Sequence, residues 1–374
     1  MIDLNVKMQV PFVDLRKQYH SLKKEIDNAI FSVIEESEFI KGKYVAAFEK
    51  EFAQAYGVKH CIGVANGTDA IYILLKMLGI GEGDEVITVA NSWISTSETI
   101  TQAGARVVFV DTEPDFFSID ISKIEEKITP RTKAIIPVHL YGQAAEVDKV
   151  KAICEKHKLI MIEDCSQAHF AEINGQTIGT FGLASTFSFY PGKNLGAYGD
   201  AGAVITNDDD LARKVRMYSN HGALVKHQHE MEGINSRLDG MHAAILSVKL
   251  PHIKKWNEMR LKNALYMNEK LAGIKGIEIP KIRKGSTHIF HLYVIMAERR
   301  DELQKYLKEK GIETAIHYPT PLPLLPAYKY LGQSEKDFPV TAQNQKKILS
   351  LPMFPELSNE QMDYVADCLT KFYL

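Results

Sequence analysis

Lys193 stands in a glycine-rich stretch, Tyr190-Pro-Gly-Lys-Asn-Leu-Gly-Ala-Tyr-Gly199, directly after the apolar, aromatic run Ser185–Phe189. The run reads as a short strand that stops at Pro191-Gly192, and the loop beyond is too rich in glycine to continue as helix or strand. Flanking glycines let other groups approach the backbone, and apolar neighbours desolvate an amine and lower its pKa, which is the setting of a nucleophilic lysine. A second run, Ile160-Met-Ile-Glu-Asp164, reads as a buried strand ending in an acid. Pyridoxal phosphate chemistry needs this pair: a lysine that holds the aldehyde as a Schiff base, and a carboxylate that keeps the pyridine nitrogen protonated so that the ring withdraws electrons. Two unrelated strand-terminal charges would leave the same trace, so the other strand ends have to decide.

Asn66-Gly-Thr-Asp-Ala70 follows a strand and opens an apolar helix. Its free amides and the Thr68 hydroxyl suit a phosphate at a helix N-terminus, and they equally suit an ordinary capped helix start. Trp93, in Asn91-Ser-Trp-Ile-Ser95, also follows a strand end, where it serves either to cover a flat heteroaromatic ring or to fill the core. Ser188 offers a further hydroxyl to a phosphate, and Gln167, three residues after Asp164, has an amide that suits a ring phenolic oxygen. A ring-stacking aromatic, a phosphate cup, an acid and a lysine after successive strands make up a cofactor site. Gly79-Ile-Gly-Glu-Gly83 precedes a strand instead of following one, so it is a turn and not a dinucleotide fingerprint.

Short β-branched runs alternate with helical stretches, as expected of an α/β protein with a mostly parallel sheet sandwiched by helices. The expected strands are Cys61–Ala65, Glu85–Ala90, Arg106–Asp111, Ala134–His139, Leu159–Glu163, Ser185–Phe189 and Ala203–Thr206, with helices starting near Thr68, Ser95, Asp120 and Ala144. Two amphipathic helices precede them, one through Ile26, Ile30, Val33 and Ile34 and one over Val45–Tyr56. Ligands of such sheets bind at the carboxyl ends of the strands. Composition changes near Leu250, which divides the chain into a large cofactor-binding domain, residues 10–250, and a smaller C-terminal α+β domain, residues 251–374, with strand His291–Met296 and helices Glu302–Lys310 and Asn359–Phe372.

The 374 residues carry 45 basic and 47 acidic side chains, a net charge of −2 with no dense basic run, which argues against nucleic acid as a partner. Cys61, Cys154, Cys165 and Cys368 lack metal-ligand or disulfide spacing, so no metal is expected and the thiols fit a reducing, cytoplasmic setting. Neither a signal peptide nor an apolar run of membrane-spanning length is expected.

With Gly42-Lys-Tyr-Val-Ala-Ala-Phe-Glu49, Val138-His-Leu-Tyr-Gly-Gln143, Glu163-Asp-Cys-Ser-Gln-Ala168 and Gly233-Ile-Asn-Ser-Arg-Leu-Asp239, these motifs resemble the DegT/DnrJ/StrS family of sugar aminotransferases, from Val10 into the last helix. The resemblance implies a fold type I pyridoxal phosphate enzyme of amino-sugar and polysaccharide biosynthesis that moves an amino group from glutamate to a nucleotide-linked keto-sugar. It assigns Lys193 to the Schiff base, Asp164 to the pyridinium, Gln167 to the phenolic oxygen, Trp93 to the ring face, and Gly67, Thr68 and Ser188 to the phosphate. It also implies a homodimer with shared sites, in which Asn235 of the partner subunit reaches the phosphate.

Ile316-His-Tyr-Pro-Thr-Pro-Leu-Pro323 resembles the family's I-H-Y-P-x-P-L-H pattern, implying substrate contacts from His317 and Tyr318, but it departs at Pro323, where many relatives have histidine. No arginine follows Arg300, which favours an acceptor held by hydroxyl contacts and diphosphate, with Arg237 of the partner subunit left to hold glutamate. The wording of the 138–143 and 235–239 motifs resembles relatives acting at C3 of the sugar more than at C4. The alternatives are a 4-keto-sugar aminotransferase, a sugar dehydratase of the same family, against which Lys193 argues because that branch carries histidine there, and a cofactor-binding regulatory protein without turnover.

Overall fold

The computed structural model describes residues 8–374. Three helices open the chain, α1 (Leu15–Ser21), α2 (Lys23–Glu36) and α3 (Gly42–Tyr56). On α3 the apolar residues Val45, Phe48, Phe52 and Tyr56 recur every three or four positions, so one face is buried, and Gly57 ends the helix in the left-handed region that glycine enters without strain.

Nine short strands follow: β1 (His60–Val64), β2 (Glu85–Val89), β3 (Arg106–Val110), β4 (Thr132–Ile136), β5 (Ile160–Asp164), β6 (Glu172–Ile173), β7 (Gln176–Thr177), β8 (Ala184–Ser188) and β9 (Gly202–Thr206). Strands β6 and β7 form a small hairpin, and the other seven form one sheet in the order β1-β9-β8-β5-β4-β2-β3. Pairings from β3 through β2, β4 and β5 to β8 are parallel, whereas β9 runs antiparallel to both β8 and β1. The expected mostly parallel sheet is therefore present, and its one reversal has a local cause. No crossover helix separates β8 from β9, so β9 turns straight back and leaves the Lys193 loop at the carboxyl end of β8.

Helices cover both faces of the sheet: α4 (Gly67–Met77), α5 (Ser95–Gln102) and α7 (Asp209–Tyr218) on one, α2, α3, α6 (Val147–His157) and α8 (Gly240–Lys249) on the other. Neighbouring strand residues divide accordingly. Val86, Ile136 and Val204 pack with Ile71, Leu74 and Val215, while Ile87, Ile135 and Ile205 pack with Phe48, Phe52 and Val147. Alternation of this kind with apolar residues on both faces is what a doubly covered sheet requires. The helix expected near Asp120 is instead two turns of 3-10 helix, Ile121–Lys123 and Glu125–Lys127. Asp120 caps the first, and Pro130 forces the preceding residue out of helical backbone before a longer helix can form.

Beyond Leu250, α9 (Ile253–Leu271) leads to β10 (Ile277–Glu278), β11 (Tyr293–Ala297), α10 (Arg300–Glu309), α11 (Pro339–Gln345), β12 (Ile348–Leu351) and α12 (Asn359–Tyr373). The three strands form an antiparallel sheet in the order β10-β11-β12. Helix α9 serves both cores, with Ile253 and Trp256 in the first and Ala264, Met267 and Leu271 in the second. Val10 also lies in the second core and bridges to Ile312. Among the described residues no helix is long and apolar enough to cross a membrane.

Candidate active site

Strands β4, β5 and β8 end on the same edge of the sheet. Asp164, the last residue of β5, is held there by backbone bonds to β4's extension, its N–H donating to the Pro137 carbonyl at 3.0 Å and its carbonyl accepting from the His139 N–H at 3.1 Å. Its buried carboxylate accepts from the Thr96 hydroxyl at 3.0 Å and the Ser166 amide at 3.1 Å. Thr96 projects from α5, a helix whose Ser95, Thr96, Ser97 and Thr99 are all buried, and it is a site residue that sequence reasoning missed. A run of hydroxyl residues on the buried face of a helix is the signal that points to it.

Lys193 sits on the turn between β8 and β9, which closes through Lys193 N–H to the Tyr190 carbonyl at 2.8 Å and Ala197 N–H to the Phe189 carbonyl at 2.7 Å. Desolvation pulls the Lys193 amine down to about 8, while the negative charge of Asp164 pulls it partly back. Low-dielectric surroundings with an acid near but not paired leave the amine available as a nucleophile close to neutral pH.

The N-terminus of α4 meets the same edge. Asn66 caps the helix, its Oδ1 accepting from the Asp69 amide at 2.8 Å. The first intrahelical bond runs from the Ala70 amide to the Asn66 carbonyl, so of the four N–H groups that a helix start leaves over the cap takes that of Asp69, and those of Asn66, Gly67 and Thr68 remain at the open end. A Cβ on Gly67 would lie 2.8 Å from Ser188 Cβ, and one on Gly202 would lie 2.4 Å from the Asn66 carbonyl carbon. The helix therefore seats directly on the ends of β8 and β9, and the two glycines permit it. Thr68 Oγ1 lies 2.7 Å from Ser95 Oγ, and Ser188 Oγ accepts from the Tyr190 amide at 3.3 Å. Amides and hydroxyls gathered at the positive end of a helix dipole fit a phosphate, and the cap uses a different amide from those left for it.

Over the edge, Trp93 is 57% exposed and its ring lies 5.7 Å from that of Tyr318, tilted by 46°. The Tyr318 hydroxyl accepts from Gln167 Nε2 at 2.9 Å, and Gln167 Oε1 accepts from the Tyr141 amide at 2.8 Å. Trp93, Tyr318 and Gln167 thus form one continuous wall. Tyr141, in the Val138–Gln143 motif, joins three segments: its hydroxyl donates to the His317 carbonyl and accepts from Asn91 Nδ2 at 3.2 Å. Its φ of +60° is the backbone bend that makes this possible. His317 Nδ1 pairs with Ser350 Oγ at 2.8 Å, and burial, with the Lys193 charge adding to it, pushes the imidazole down to about 4.

Asn235 and Arg237 lie elsewhere on the single chain. Asn235 is exposed, and Arg237 Nη1 donates to Asn220 Oδ1 at 3.3 Å. Among the described residues neither contacts Lys193 or Asp164 within one chain. Ser236 between them accepts from the Ala65 amide at 3.2 Å, which anchors this segment beside the end of β1.

Beneath the edge, Glu163 is fully buried and accepts from the amides of Gly179, Phe181 and Gly182 at 2.7–2.8 Å. His139 Nε2 completes it at 3.2 Å; because His139 Nδ1 accepts from the Ala145 amide, the ring proton is assigned to Nε2. Burial alone would raise the Glu163 carboxyl, but His139 and the amides outweigh it and hold it below the usual range. Cys165 Sγ lies close to both, yet the carboxylate oxygens and His139 Nδ1 are already occupied, so the cluster is a hydrogen-bonded node.

The DegT/DnrJ/EryC1/StrS aminotransferase family matches residues 20–370. Over 368 residues the chain is 48% identical to a Geobacillus stearothermophilus protein named pleiotropic regulatory protein, covering 98% of this chain and 99% of that one. It is 42% identical over 362 residues to the UDP-N-acetyl-3-dehydro-alpha-D-glucosamine 3-aminotransferase of Acidithiobacillus ferrooxidans, covering 97% of each. Among solved structures, S. venezuelae DesV in complex with a ketimine intermediate superposes with a TM-score of 0.95 at 40% identity, covering 98% of both chains.

Proposed function

Because the chain belongs to the DegT/DnrJ/EryC1/StrS aminotransferase family, we propose that it moves an amino group from glutamate to a nucleotide-linked 3-keto sugar, with pyridoxal phosphate held by Lys193. The observation that carries the assignment is Lys193 itself, desolvated to a pKa of about 8 on the turn after β8, with the buried Asp164 carboxylate at the end of the adjoining β5.

Bound pyridoxal phosphate supplies an aldehyde that takes up amines and a protonated ring that withdraws electrons from the bond being broken. Asp164, its carboxylate aimed by Thr96 and Ser166, keeps the proton on the pyridine nitrogen. Lys193 Nζ would hold the cofactor's aldehyde, and once free its amine, desolvated and near neutral in pKa, would be placed to take a proton from the amino donor's carbon and to give one back to the sugar carbon. Gly67, Thr68 and Ser188 hold the phosphate, Gln167 reaches the phenolic oxygen, and Trp93 covers the ring and excludes water from one face. Asn235 and Arg237 of the partner subunit complete the site. The exposed apolar side chains Phe31, Ile34, Phe39 and Ile40 on α2 and the turn after it support a second copy as the partner. Four buried free thiols support a reducing, cytoplasmic setting.

The relative from Acidithiobacillus ferrooxidans is named for amination at C3 of a nucleotide sugar, which supports the 3-keto assignment. Lys193 stands where dehydratases of this family carry histidine, which weighs against dehydration. Borohydride reduction of the purified yellow protein followed by peptide mapping should label Lys193. Matched 3-keto and 4-keto nucleotide sugars, offered with glutamate and followed by NMR, should give a new amine at C3. Amine only at C4 overturns the position, and turnover of neither sugar favours the regulatory reading that the name of the Geobacillus stearothermophilus relative carries.

A further inference from the structure

Helices α8 and α9 each send a buried polar side chain into the loop that carries Lys193. From α8, Lys249 is 1% exposed, its Nζ donating to the Gly196 carbonyl at 2.7 Å and lying 4.1 Å from the centre of the Tyr198 ring. Among the described residues it has no ion-pair partner, and burial pulls the amine down to about 7. An aliphatic side chain would fill this space without desolvating an amine, so what distinguishes lysine here is its grip on one backbone carbonyl.

From α9, Asn257 Oδ1 accepts from Asn194 Nδ2 at 2.8 Å, while its own Nδ2 donates to the His169 carbonyl at 3.0 Å. Asn194 Nδ2 also donates to the Ile289 carbonyl at 3.2 Å, and its Oδ1 lies 3.2 Å from His291 Nδ1. The residues one and three positions after Lys193 are therefore fastened to two different helices. Backbone bonds close only the two ends of the loop, at Tyr190 and at Phe189–Ala197. Its middle folds back so tightly that a Cβ on Gly196 would lie 2.4 Å from the Pro191 carbonyl oxygen. Leu195 packs into the core against these helices, but among the described residues no other hydrogen bond from α8 or α9 fixes residues 194–196 in that fold.

We propose that Lys249 and Asn257 are positioning residues for Lys193, fixing through Gly196 and Asn194 the direction from which its amine meets an aldehyde. This rests on the assignment of Lys193 as the lysine that holds the cofactor. Lys249 and Asn257 touch the loop and not the reacting atoms, so they act on the rate and on the environment of the amine and leave substrate affinity alone. A displacement on the order of 1 Å at a reacting group costs about a hundredfold in rate.

The test uses Lys249→Met and Asn257→Ser in the full chain, with two readouts. In the cofactor-free protein, labelling of Lys193 by trinitrobenzenesulfonate, located by peptide mapping, should have its pH midpoint near 8 in the parent and a higher midpoint in both variants, as the loosened loop admits water to the amine. In the holoenzyme kcat should fall roughly tenfold to a hundredfold with KM for the sugar unchanged. A purely structural role would lower the melting temperature and leave the Lys193 midpoint in place. If either folded variant keeps both the parent midpoint and the parent kcat, the positioning role is wrong for that residue. Should Lys249→Met not fold, Asn257→Ser carries the same decision. Failure of the cofactor-lysine assignment shows separately, as a borohydride label on another lysine of the parent.

Discussion

Glu163 and Asp164 are adjacent carboxylates on one strand, and alternation sends them to opposite faces of the sheet. Glu163 is surrounded: three amides, a histidine and a serine hydroxyl share its two oxygens. Asp164 accepts from one hydroxyl and one amide, one on each oxygen, and retains capacity to accept. Burial is nearly the same for both, so burial does not separate a structural acid from a chemical one. The count of committed partners does. A carboxylate whose acceptor sites are filled by backbone donors closes a turn, here the one through residues 179–182, while one with acceptor sites left over is able to meet a ligand.

The comparison is sharpest where one atom is changed in each residue. Asp164→Asn should reduce turnover by about 10²–10³-fold, the range found for removing one pre-aimed electrostatic contact, with the melting temperature nearly unchanged. Steady-state amination and a thermal melt on the same preparation decide it; parent-like turnover would remove Asp164 from the chemistry. Glu163→Gln should behave the other way. Its NH₂ cannot accept from the amides that the carboxylate served, so stability should fall by about 3 kcal/mol in a denaturant titration while activity per folded molecule is largely kept. A Glu163→Gln protein as stable as the parent but inactive would erase the distinction.

His288 extends the rule to a base. Its Nδ1 accepts from the Phe290 amide at 3.0 Å, its ring stacks on Phe290 with centroids 3.8 Å apart, and burial pushes its pKa down to about 3. The unfolded chain takes up the proton first, so stability from this residue is complete above about pH 6.5 and is lost as pH falls from there toward 3. The slope contributed by one such histidine reaches at most about 1.4 kcal/mol per pH unit, and His288→Phe should flatten the acid limb of the stability profile by that amount. An unchanged limb would mean that His288 is not held neutral. The smallest effect is expected at Trp93→Phe, which keeps an aromatic face; cofactor affinity should change by less than about tenfold in a fluorescence titration, because stacking contributes about 1 kcal/mol beyond area. A larger loss would point to a role for the indole N–H.

Much of the site was legible because it is local. Lys193, Gly67 and Trp93 follow, and Asp164 ends, strands whose apolar runs and terminating residues are contiguous, and the strands of the large sheet fall within three residues of where those runs predict them. What was not legible depends on pairs far apart in the chain. Gln167 meets Tyr318 across 151 residues and Tyr141 meets His317 across 176, and no spacing rule links them. Thr96 depends on α5 turning it toward β5, 68 residues on in the chain, a contact that local pattern cannot supply. Lys249 and Asn257 lie in helices whose periodicity marks them as inward-facing without saying what they meet.

Apolar periodicity and turn chemistry are short-range properties, so the alternation of strands and helices, the strand ends where the candidate residues gather, and the lysine, acid and capped, glycine-opened helix start found there are readable from the chain alone. Closing the layers in three dimensions is what returns β9 antiparallel and keeps the lysine loop in place, spends the acid of β5 that faces away on a turn, and lets side chains of two later helices grip the loop around Lys193. Those outcomes follow from which donors and acceptors meet when the layers close, and that meeting is fixed by packing across the whole chain.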